Sequence, residues 1–205
     1  MFRSMTLESF LDQLASKEPT PGGGTAAALA ASTGAALVEM VARLSIGKKG
    51  YELVQSDFQD MLKQVGPVRD ALTKQMDLDA EVFDQVMDAF QLPRKSEEEK
   101  QARKHSIQIA MKEAALVPLD TCSKVCSLLP YALFAAEKGN RNAVSDAFCA
   151  LELLRAAFHM ACENVEINLA SISDTQWAQQ VSSKLTQFHG TMERAIERAN
   201  ELKQQ

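Results

Sequence analysis

One apolar repeat between Tyr51 and Leu92 restricts the fold of this chain more than any other feature. Apolar residues recur there every three or four positions, which is the period of one helix face: Val54, Phe58, Met61, Val65, Val68, Leu72, Met76, Phe83, Val86 and Phe90. The repeat predicts one long helix, bent at Gly66-Pro67 because proline lacks a backbone donor, and ended at Leu92-Pro93. Helices of this length are typical of an α-helical bundle.

The segments before this repeat are also helical in pattern. Residues 6–16 place apolar side chains at i, i+3, i+4 and i+7, as in an amphipathic helix. After a break at Pro19 to Gly24, residues 25–45 are crowded with alanine. Short side chains let a neighbouring backbone approach closely, so this alanine-rich helix is predicted to lie in the middle of the bundle.

Three or four more helices are expected in the second half of the chain. A capping box at residues 96–99 starts a helix that is predicted to end near Pro118, and another helix leads to Lys138-Gly139. Residues 145–171 form an apolar segment, and Asp174 is a candidate N-cap for the last helix. With only 9 glycines and 6 prolines among 205 residues, the chain is predicted to be all-α, a single up-and-down bundle of six or seven helices over residues 1–205.

The charge balance excludes several classes of partner. Lys and Arg number 22 against 27 Asp and Glu, which gives a net charge of −5. Nucleic-acid and anionic-membrane binding usually require a basic face, so neither partner is predicted. Residues 25–38 are too few to cross a bilayer, and residues 1–16 lack the apolar core of a secretory signal. The four cysteines fit reduced thiols, and a cytoplasmic location is expected.

The sequence lacks the common motifs for nucleotide binding, serine hydrolysis and metal binding. The sequence has no G-x-x-x-x-G-K-[ST], no G-x-S-x-G and no H-E-x-x-H, and its three histidines are far apart in sequence. Each histidine is more simply explained as a surface or core side chain than as a metal ligand. We therefore expect no metal site and no tightly bound cofactor.

A glycine run is the first candidate site. Pro21, Gly22, Gly23 and Gly24 directly precede the alanine-rich helix. Glycines leave backbone N–H groups uncovered, and a helix N-terminus carries partial positive charge, so the run is able to receive a carboxylate or carbonyl oxygen. The alternative is a flexible connector before a tightly packed helix.

Asp79 is the second candidate, because it shares the apolar phase of Met76 and Phe83. A carboxylate that points into a core has a raised pKa and is suited to proton transfer near neutral pH. The alternative is a salt bridge between helices. The other aspartates of this segment fall on other faces: Asp77, Asp84 and Asp88.

Two polar turns are further candidates. Lys48 and Lys49 lie between glycines and are able to hold a polyanion, although a solvated pair at a helix end is the more common explanation. Asn140, Ser145 and Asp146 belong to one turn, which offers donors and acceptors to a heterocycle or else serves as ordinary helix caps.

Two amides complete the candidates. Asn164 and Asn168 are one turn apart on the apolar segment 145–171. Buried amides need partners, so these side chains bond either to a neighbouring helix or to a ligand.

Together these segments resemble the formiminotetrahydrofolate cyclodeaminase and methenyltetrahydrofolate cyclohydrolase family over nearly the whole chain. The matching pieces, in order, are residues 7–14 and 21–25, the alanine-rich helix, and residues 47–49, 79–83, 92–93, 114–119, 139–140, 145–146 and 164–169. The resemblance implies an all-α bundle that forms a homodimer, with a reduced folate, possibly polyglutamylated, as substrate.

The resemblance also implies roles for the candidate residues. Asp79 matches the proton-transferring aspartate of the family. The substrate-binding positions that it implies are Pro21, Gly22, Gly23, Gly24, Lys48, Lys49, Asn140, Ser145, Asp146 and Asn164. Nothing in 205 residues matches the family's formiminotransferase domain, so formimino transfer is not expected.

Two reactions occur in enzymes of this family, and the sequence does not decide between them. The length of the chain slightly favours the first of the two, the cyclohydrolase reaction. A cyclohydrolase adds water to the methenyl carbon of 5,10-methenyltetrahydrofolate and yields 10-formyltetrahydrofolate. A cyclodeaminase closes 5-formiminotetrahydrofolate to the methenyl compound with loss of ammonia. The alternative from another class is a helical binding or scaffolding protein without turnover.

Overall fold

The computed structural model describes residues 1–204, and these residues form six α-helices and no β-strand. The helices are α1 Leu7–Leu14, α2 Gly23–Ser45, α3 Gln55–Gln91, α4 Glu97–Lys138, α5 Val144–Leu169 and α6 Thr175–Lys203. Short 3-10 turns occupy Phe2–Ser4, Glu52–Val54 and Arg141–Ala143. The all-α prediction is therefore confirmed. Two predicted N-terminal caps are also present. Ser96 and Glu99 form the capping box of α4, and Asp174 caps α6 by accepting from the Trp177 N–H.

Helix α2 lies at the centre of the bundle, packed between α3 and α5, as its alanines predict. Ala27, Ala31, Ala35 and Ala42 are fully buried there. Within residues 1–204, α2 is the one helix with the length and composition of a membrane span, and 61% of its most apolar window is buried in the bundle. Burial of this window fits the core helix of a bundle.

The prediction of a helix end near Pro118 is wrong, because α4 runs unbroken from Glu97 to Lys138 and contains both Pro118 and Pro130. Proline removes one helical hydrogen bond and costs about 3 kcal/mol in a helix interior. Tertiary packing offsets that cost, since Pro118 is buried and its neighbours Ala115 and Leu119 belong to the apolar core. Helix α3 likewise continues through Pro67.

An ion pair fixes helices α2 and α3 against each other. Glu39 of α2 is buried and its Oε2 accepts from Arg69 Nη1 of α3 at 2.5 Å. Gly66 leaves room for this carboxylate, because a Cβ at that position would lie 3.3 Å from Glu39 Oε1. A buried carboxylate needs such a partner to offset its lost hydration.

The N-terminal turn packs on the second half of α3. Asp77 faces away from the cavity side of the helix, as predicted, yet it is buried, because the Phe2 N–H and the Arg3 guanidinium both contact its carboxylate. Phe10 of α1 packs beside Ala28 and Met76. These contacts anchor the segment that leads into residues 19–24.

Candidate active site

A cavity of about 440 Å³ opens at the N-terminus of α2, where α3, α4 and α5 converge. Its lining contains the candidate carboxylate, most of the glycine run and two amides. The lining residues are Pro19, Thr20, Gly22, Gly23, Gly24, Asp79, Val82, Phe83, Val86, Met87, Phe90, Met111, Ala114, Asn164, Ile167 and Asn168. A concave, mostly apolar cavity with a few polar groups is the usual form of a small-molecule site.

Among the described residues that line this cavity, Asp79 is the one with a charged side chain. Its Oδ2 accepts a hydrogen bond from Thr25 Oγ1 at 2.9 Å, and the same hydroxyl lies 3.4 Å from the Met76 carbonyl oxygen. Burial raises the pKa of the Asp79 carboxyl, and the hydrogen bonds from Thr25 offset part of that rise. Across residues 1–204 no lysine or arginine forms a salt bridge with Asp79, so the interhelical ion pair considered as an alternative is not formed.

Gly24 brings the backbone of α2 against Asp79. A Cβ at Gly24 would lie 2.1 Å from Asp79 Oδ1 and 2.7 Å from its Cγ, so only glycine allows this approach. Gly23 and Gly24 already belong to the first turn of α2, where backbone N–H groups lack helical acceptors. The run is therefore the start of a packed helix at the cavity, and the flexible-connector alternative does not hold.

An apolar wall faces this polar corner. Phe83, Val86 and Phe90 lie on one face of α3, and the periodicity placed all three on the inward side. Phe90 is nevertheless 47% exposed, and Ile167 of α5, which also lines the cavity, is 68% exposed. Exposed apolar side chains clustered at a cavity mouth are typical of a surface that a ligand covers.

The two amides of α5 also line the cavity. Asn164 Nδ2 donates to the Met160 carbonyl oxygen at 2.7 Å and lies beside Gly23. Asn168 Nδ2 donates to the carbonyl oxygen of Ala114 in α4 at 2.9 Å. Each amide nitrogen thus has a backbone acceptor, as expected for buried polar groups.

The structure does not bring Lys48 and Asn140 to this cavity within one chain. Lys48 Nζ contacts Asn140 Oδ1, while the Asn140 N–H donates to Ser45 Oγ at 2.8 Å. Ser45 is the last residue of α2, and the rise of 1.5 Å per residue places it about 33 Å from Gly23 along the helix. Asn140 also caps the 3-10 turn that follows it, which is the cap chemistry considered as its alternative.

The remaining candidates lie at this far end or beside the cavity. Ser145 and Asp146 are in the first turn of α5, and Lys49 is exposed next to Lys48. Pro21 is buried and adjoins the lining residues Thr20 and Gly22 without being one of them. Of the predicted positions, the cavity therefore gathers Gly22, Gly23, Gly24, Asp79 and Asn164.

A single protonatable group in a mostly apolar cavity is suited to proton transfer on a bound organic ligand. The raised pKa of Asp79 favours its protonated form over a wider pH range than for an exposed aspartate. The lining lacks lysine and arginine among the described residues, so the ionised carboxylate would attract a cationic ligand. The class is an acid–base enzyme with an all-α fold.

Comparisons with known proteins agree with this class. The profile of the formiminotransferase-cyclodeaminase family matches residues 6–187. The chain is 43% identical to methenyltetrahydrofolate cyclohydrolase of Methylorubrum extorquens over 191 residues, which cover 93% of this chain and 90% of that protein. It is 33% identical to chicken formimidoyltransferase-cyclodeaminase over 89% of this chain and 34% of that protein.

A solved structure resembles the whole fold. The crystal structure of formiminotetrahydrofolate cyclodeaminase from Thermotoga maritima superposes with a TM-score of 0.89 at 32% identity, covering 98% of this chain and 97% of the other. The chain belongs to the formiminotransferase-cyclodeaminase family.

Proposed function

We propose that this protein is a folate one-carbon enzyme that hydrolyses 5,10-methenyltetrahydrofolate to 10-formyltetrahydrofolate. The observation that carries the proposal is Asp79, a half-buried carboxylate without a cationic partner that opens on a cavity large enough for a pterin. The similarity to the Methylorubrum cyclohydrolase over nearly the full length of both proteins favours hydrolysis.

Asp79 supplies two of the proton transfers of this reaction, and water accepts the third proton. Ionised Asp79 takes a proton from water as the oxygen bonds to the carbon between N5 and N10. The protonated carboxyl then donates to N5 as the C–N5 bond breaks, and a second proton leaves the tetrahedral hydroxyl as the formyl carbonyl forms. One carboxyl can serve both roles because burial brings its pKa nearer to neutrality. The same carboxylate stabilises the cationic substrate.

Cyclisation of 5-formiminotetrahydrofolate is the second candidate, and the likeness to the Thermotoga cyclodeaminase supports it. N10 attacks the formimino carbon, the C–N10 bond forms, and the nitrogen of the formimino group leaves as ammonia after it is protonated. This reaction also proceeds through a tetrahedral carbon between nitrogens. Asp79 would take the proton from N10 and donate one to the departing nitrogen.

The near-ultraviolet absorbance of methenyltetrahydrofolate tests the proposal. Added protein should consume this compound faster than the blank if it is a cyclohydrolase, and should form it from 5-formiminotetrahydrofolate if it is a cyclodeaminase. Asp79→Asn should lower turnover at least about 100-fold, the loss expected for a general acid–base group. Asp84→Asn, an exposed carboxylate on the same helix, is the matched control. Near-normal turnover by Asp79→Asn would defeat the catalytic assignment.

A scaffolding protein is the less favoured alternative. A buried carboxylate without an ion pair opposes folding, and an apolar residue at position 79 would be more stable. The cavity retains that carboxylate beside Gly24, which is shaped to admit it. A role in proton transfer accounts for both features.

The partly exposed face of α2 supports a homodimer. Its residues are almost all apolar and follow helical spacing: Ala26, Leu29, Ala30, Thr33, Ala36, Leu37, Met40 and Leu44. A two-fold axis through the middle of α2 pairs this face with itself in antiparallel orientation. Ala36→Glu should then give a monomer in sedimentation experiments, because two like charges would meet near the axis. Ala102→Glu, at an exposed position of α4, should leave the dimer intact.

Such a dimer gives Lys48 and Lys49 a role. Antiparallel pairing sets the C-terminal end of one α2 beside the N-terminal end of the other, so the partner's Lys48 would approach the Asp79 cavity. Lysines there suit the carboxylates of a polyglutamylated folate tail. The Lys48 ammonium is also held in place by Asn140.

We further propose that the protein works in the cytoplasm without a tightly bound cofactor. All four cysteines are free thiols, as expected in a reducing compartment. Proton transfer by Asp79 needs no metal ion or redox group, so a chelator should leave turnover unchanged.

A further inference from the structure

Pro118 changes the hydrogen bonding of α4 at the wall of the cavity. Proline has no N–H, so the carbonyl four residues earlier, that of Ala114, lacks its usual helical donor. Asn168 Nδ2 of α5 supplies a donor at 2.9 Å from that carbonyl oxygen. Both Ala114 and Asn168 line the cavity.

This contact fixes which way the Asn168 amide points. A carbonyl oxygen accepts hydrogen bonds only from donors, so the amide nitrogen must face Ala114 and the amide oxygen must face elsewhere. Within residues 1–204 no N–H or O–H group donates to Asn168 Oδ1. The side chain therefore offers a free acceptor at a cavity wall, and α4 and α5 hold it rigidly.

We infer that Asn168 is a specificity-determining residue whose Oδ1 accepts a hydrogen bond from a ring N–H or the amino group of the substrate's reduced pterin. Pro118 acts as a positioning residue, because the carbonyl that it leaves free holds the amide. This inference rests on the proposed function, since it names the part of the folate that contacts α5.

The chemistry of the cavity favours this type of contact. A reduced pterin carries several N–H donors on its pyrimidine side, and each needs an acceptor once water is displaced. Asn168 provides one without adding charge, so it leaves the protonation of Asp79 undisturbed. A ligand that lacks the matching donor would leave the amide oxygen without a partner, which is how such sites discriminate between similar ligands.

The test compares the affinity of variants for tetrahydropterin, used as a competitive inhibitor without the folate tail. Asn168→Ala should weaken its binding about 5- to 10-fold, the usual effect of losing one neutral hydrogen bond. The KM for the folate substrate should rise by a similar factor, with kcat changed less. Gln108→Ala is the matched control, because Gln108 also joins α4 to the segment that follows α5, through Ser171, but lies outside the cavity.

A double variant separates ligand binding from a structural role. Pro118→Ala restores a backbone N–H to α4, which can satisfy the Ala114 carbonyl when Asn168 is absent. Asn168→Ala with Pro118→Ala should therefore regain stability, yet its affinity for tetrahydropterin should stay weak. Recovery of wild-type affinity would show that Asn168 serves only the helix and would overturn the inference. It would be overturned equally if Asn168→Ala and Gln108→Ala weakened binding alike.

Two separate measurements distinguish failure of this inference from failure of the proposed function. Turnover of either folate by the wild-type protein decides the reaction. The ratio of tetrahydropterin affinities between wild type and variants decides the role of Asn168. If the wild-type protein turns over folate but Asn168→Ala binds tetrahydropterin as tightly as wild type, the inference is rejected and the proposed function stands.

Discussion

Gly24→Ala is the most informative single change, because the site has no space for one added methyl group. The new Cβ would lie 2.1 Å from Asp79 Oδ1 and 2.7 Å from Asp79 Cγ, where atoms in contact normally lie about 3.5 Å apart. The carboxyl group must therefore move by about 1 Å or more. It can do so, because it ends a short rotatable side chain, but the move breaks its hydrogen bond with Thr25.

The expected loss is in turnover more than in stability. Misplacement of a reacting group by about 1 Å can lower a rate about 100-fold, which is about 2.7 kcal/mol of barrier. Alanine in place of a helical glycine adds up to about 1 kcal/mol of stability, and overpacking removes about 1–3 kcal/mol. The free energy of unfolding should therefore fall by no more than about 2 kcal/mol.

The neighbouring glycines provide graded controls. A Cβ at Gly23 would lie 3.4 Å from Asn164 Nδ2, and one at Gly22 would lie 3.8 Å from the Pro19 carbonyl oxygen, both ordinary contacts. Turnover should therefore fall far more in Gly24→Ala than in Gly23→Ala, and least in Gly22→Ala. Loss of methenyltetrahydrofolate absorbance measures turnover, and urea unfolding measures stability. Equal turnover in Gly24→Ala and Gly22→Ala would refute the argument from close approach.

Three more predictions concern charge. Burial raises the pKa of Asp79 above its usual 3.8, so its ionisation opposes folding, and the stability of the protonated form is lost as pH rises through the folded-state pKa. In urea unfolding at pH 8, the free energy of unfolding of Asp79→Asn should exceed that of wild type. The expected difference is about 1.4 kcal/mol for each pH unit that separates the folded-state pKa of Asp79 from its unfolded-state pKa. An equal or lower stability of the variant would contradict burial of the carboxylate. Because the Thr25 hydroxyl lowers the pKa of Asp79, Thr25→Val should move the acidic limb of the pH–rate profile to higher pH, and an unmoved limb would exclude this coupling. Lys48→Ala with Lys49→Ala should weaken polyglutamylated folate more than monoglutamate in binding assays, and equal weakening would contradict tail binding.

The sequence was sufficient to find the proposed catalytic carboxylate, Asp79, but insufficient to find the residues that surround it. Helical phase decides which face a residue occupies, so the repeat around Met76 and Phe83 placed Asp79 inward without any knowledge of its neighbours. Its partner Thr25 is 54 residues away, and no local pattern predicts that contact. Asp77 shows the same limit, because its burial depends on the N-terminal turn.

The wrong helix end near Pro118 has the same physical origin. Proline rules describe an isolated helix, in which a lost hydrogen bond has no replacement. In the folded chain an amide from α5 reaches the carbonyl of Ala114, and apolar packing on both sides of Pro118 maintains the helix. Local propensity predicted a boundary, and tertiary contacts removed it.

The sequence predicts Asn164, but not its neighbour Asn168, as a substrate-binding residue. The sequence feature that points to Asn168 is the spacing of four residues between Ala114 and Pro118. A proline within a long helical repeat identifies a carbonyl that needs an outside donor. When that carbonyl lies on a face shared with a catalytic candidate, the donor is held beside the site. The position of the proline, four residues after Ala114, thus predicts where a rigid polar group is required, although only the fold identifies Asn168 as the residue that provides it.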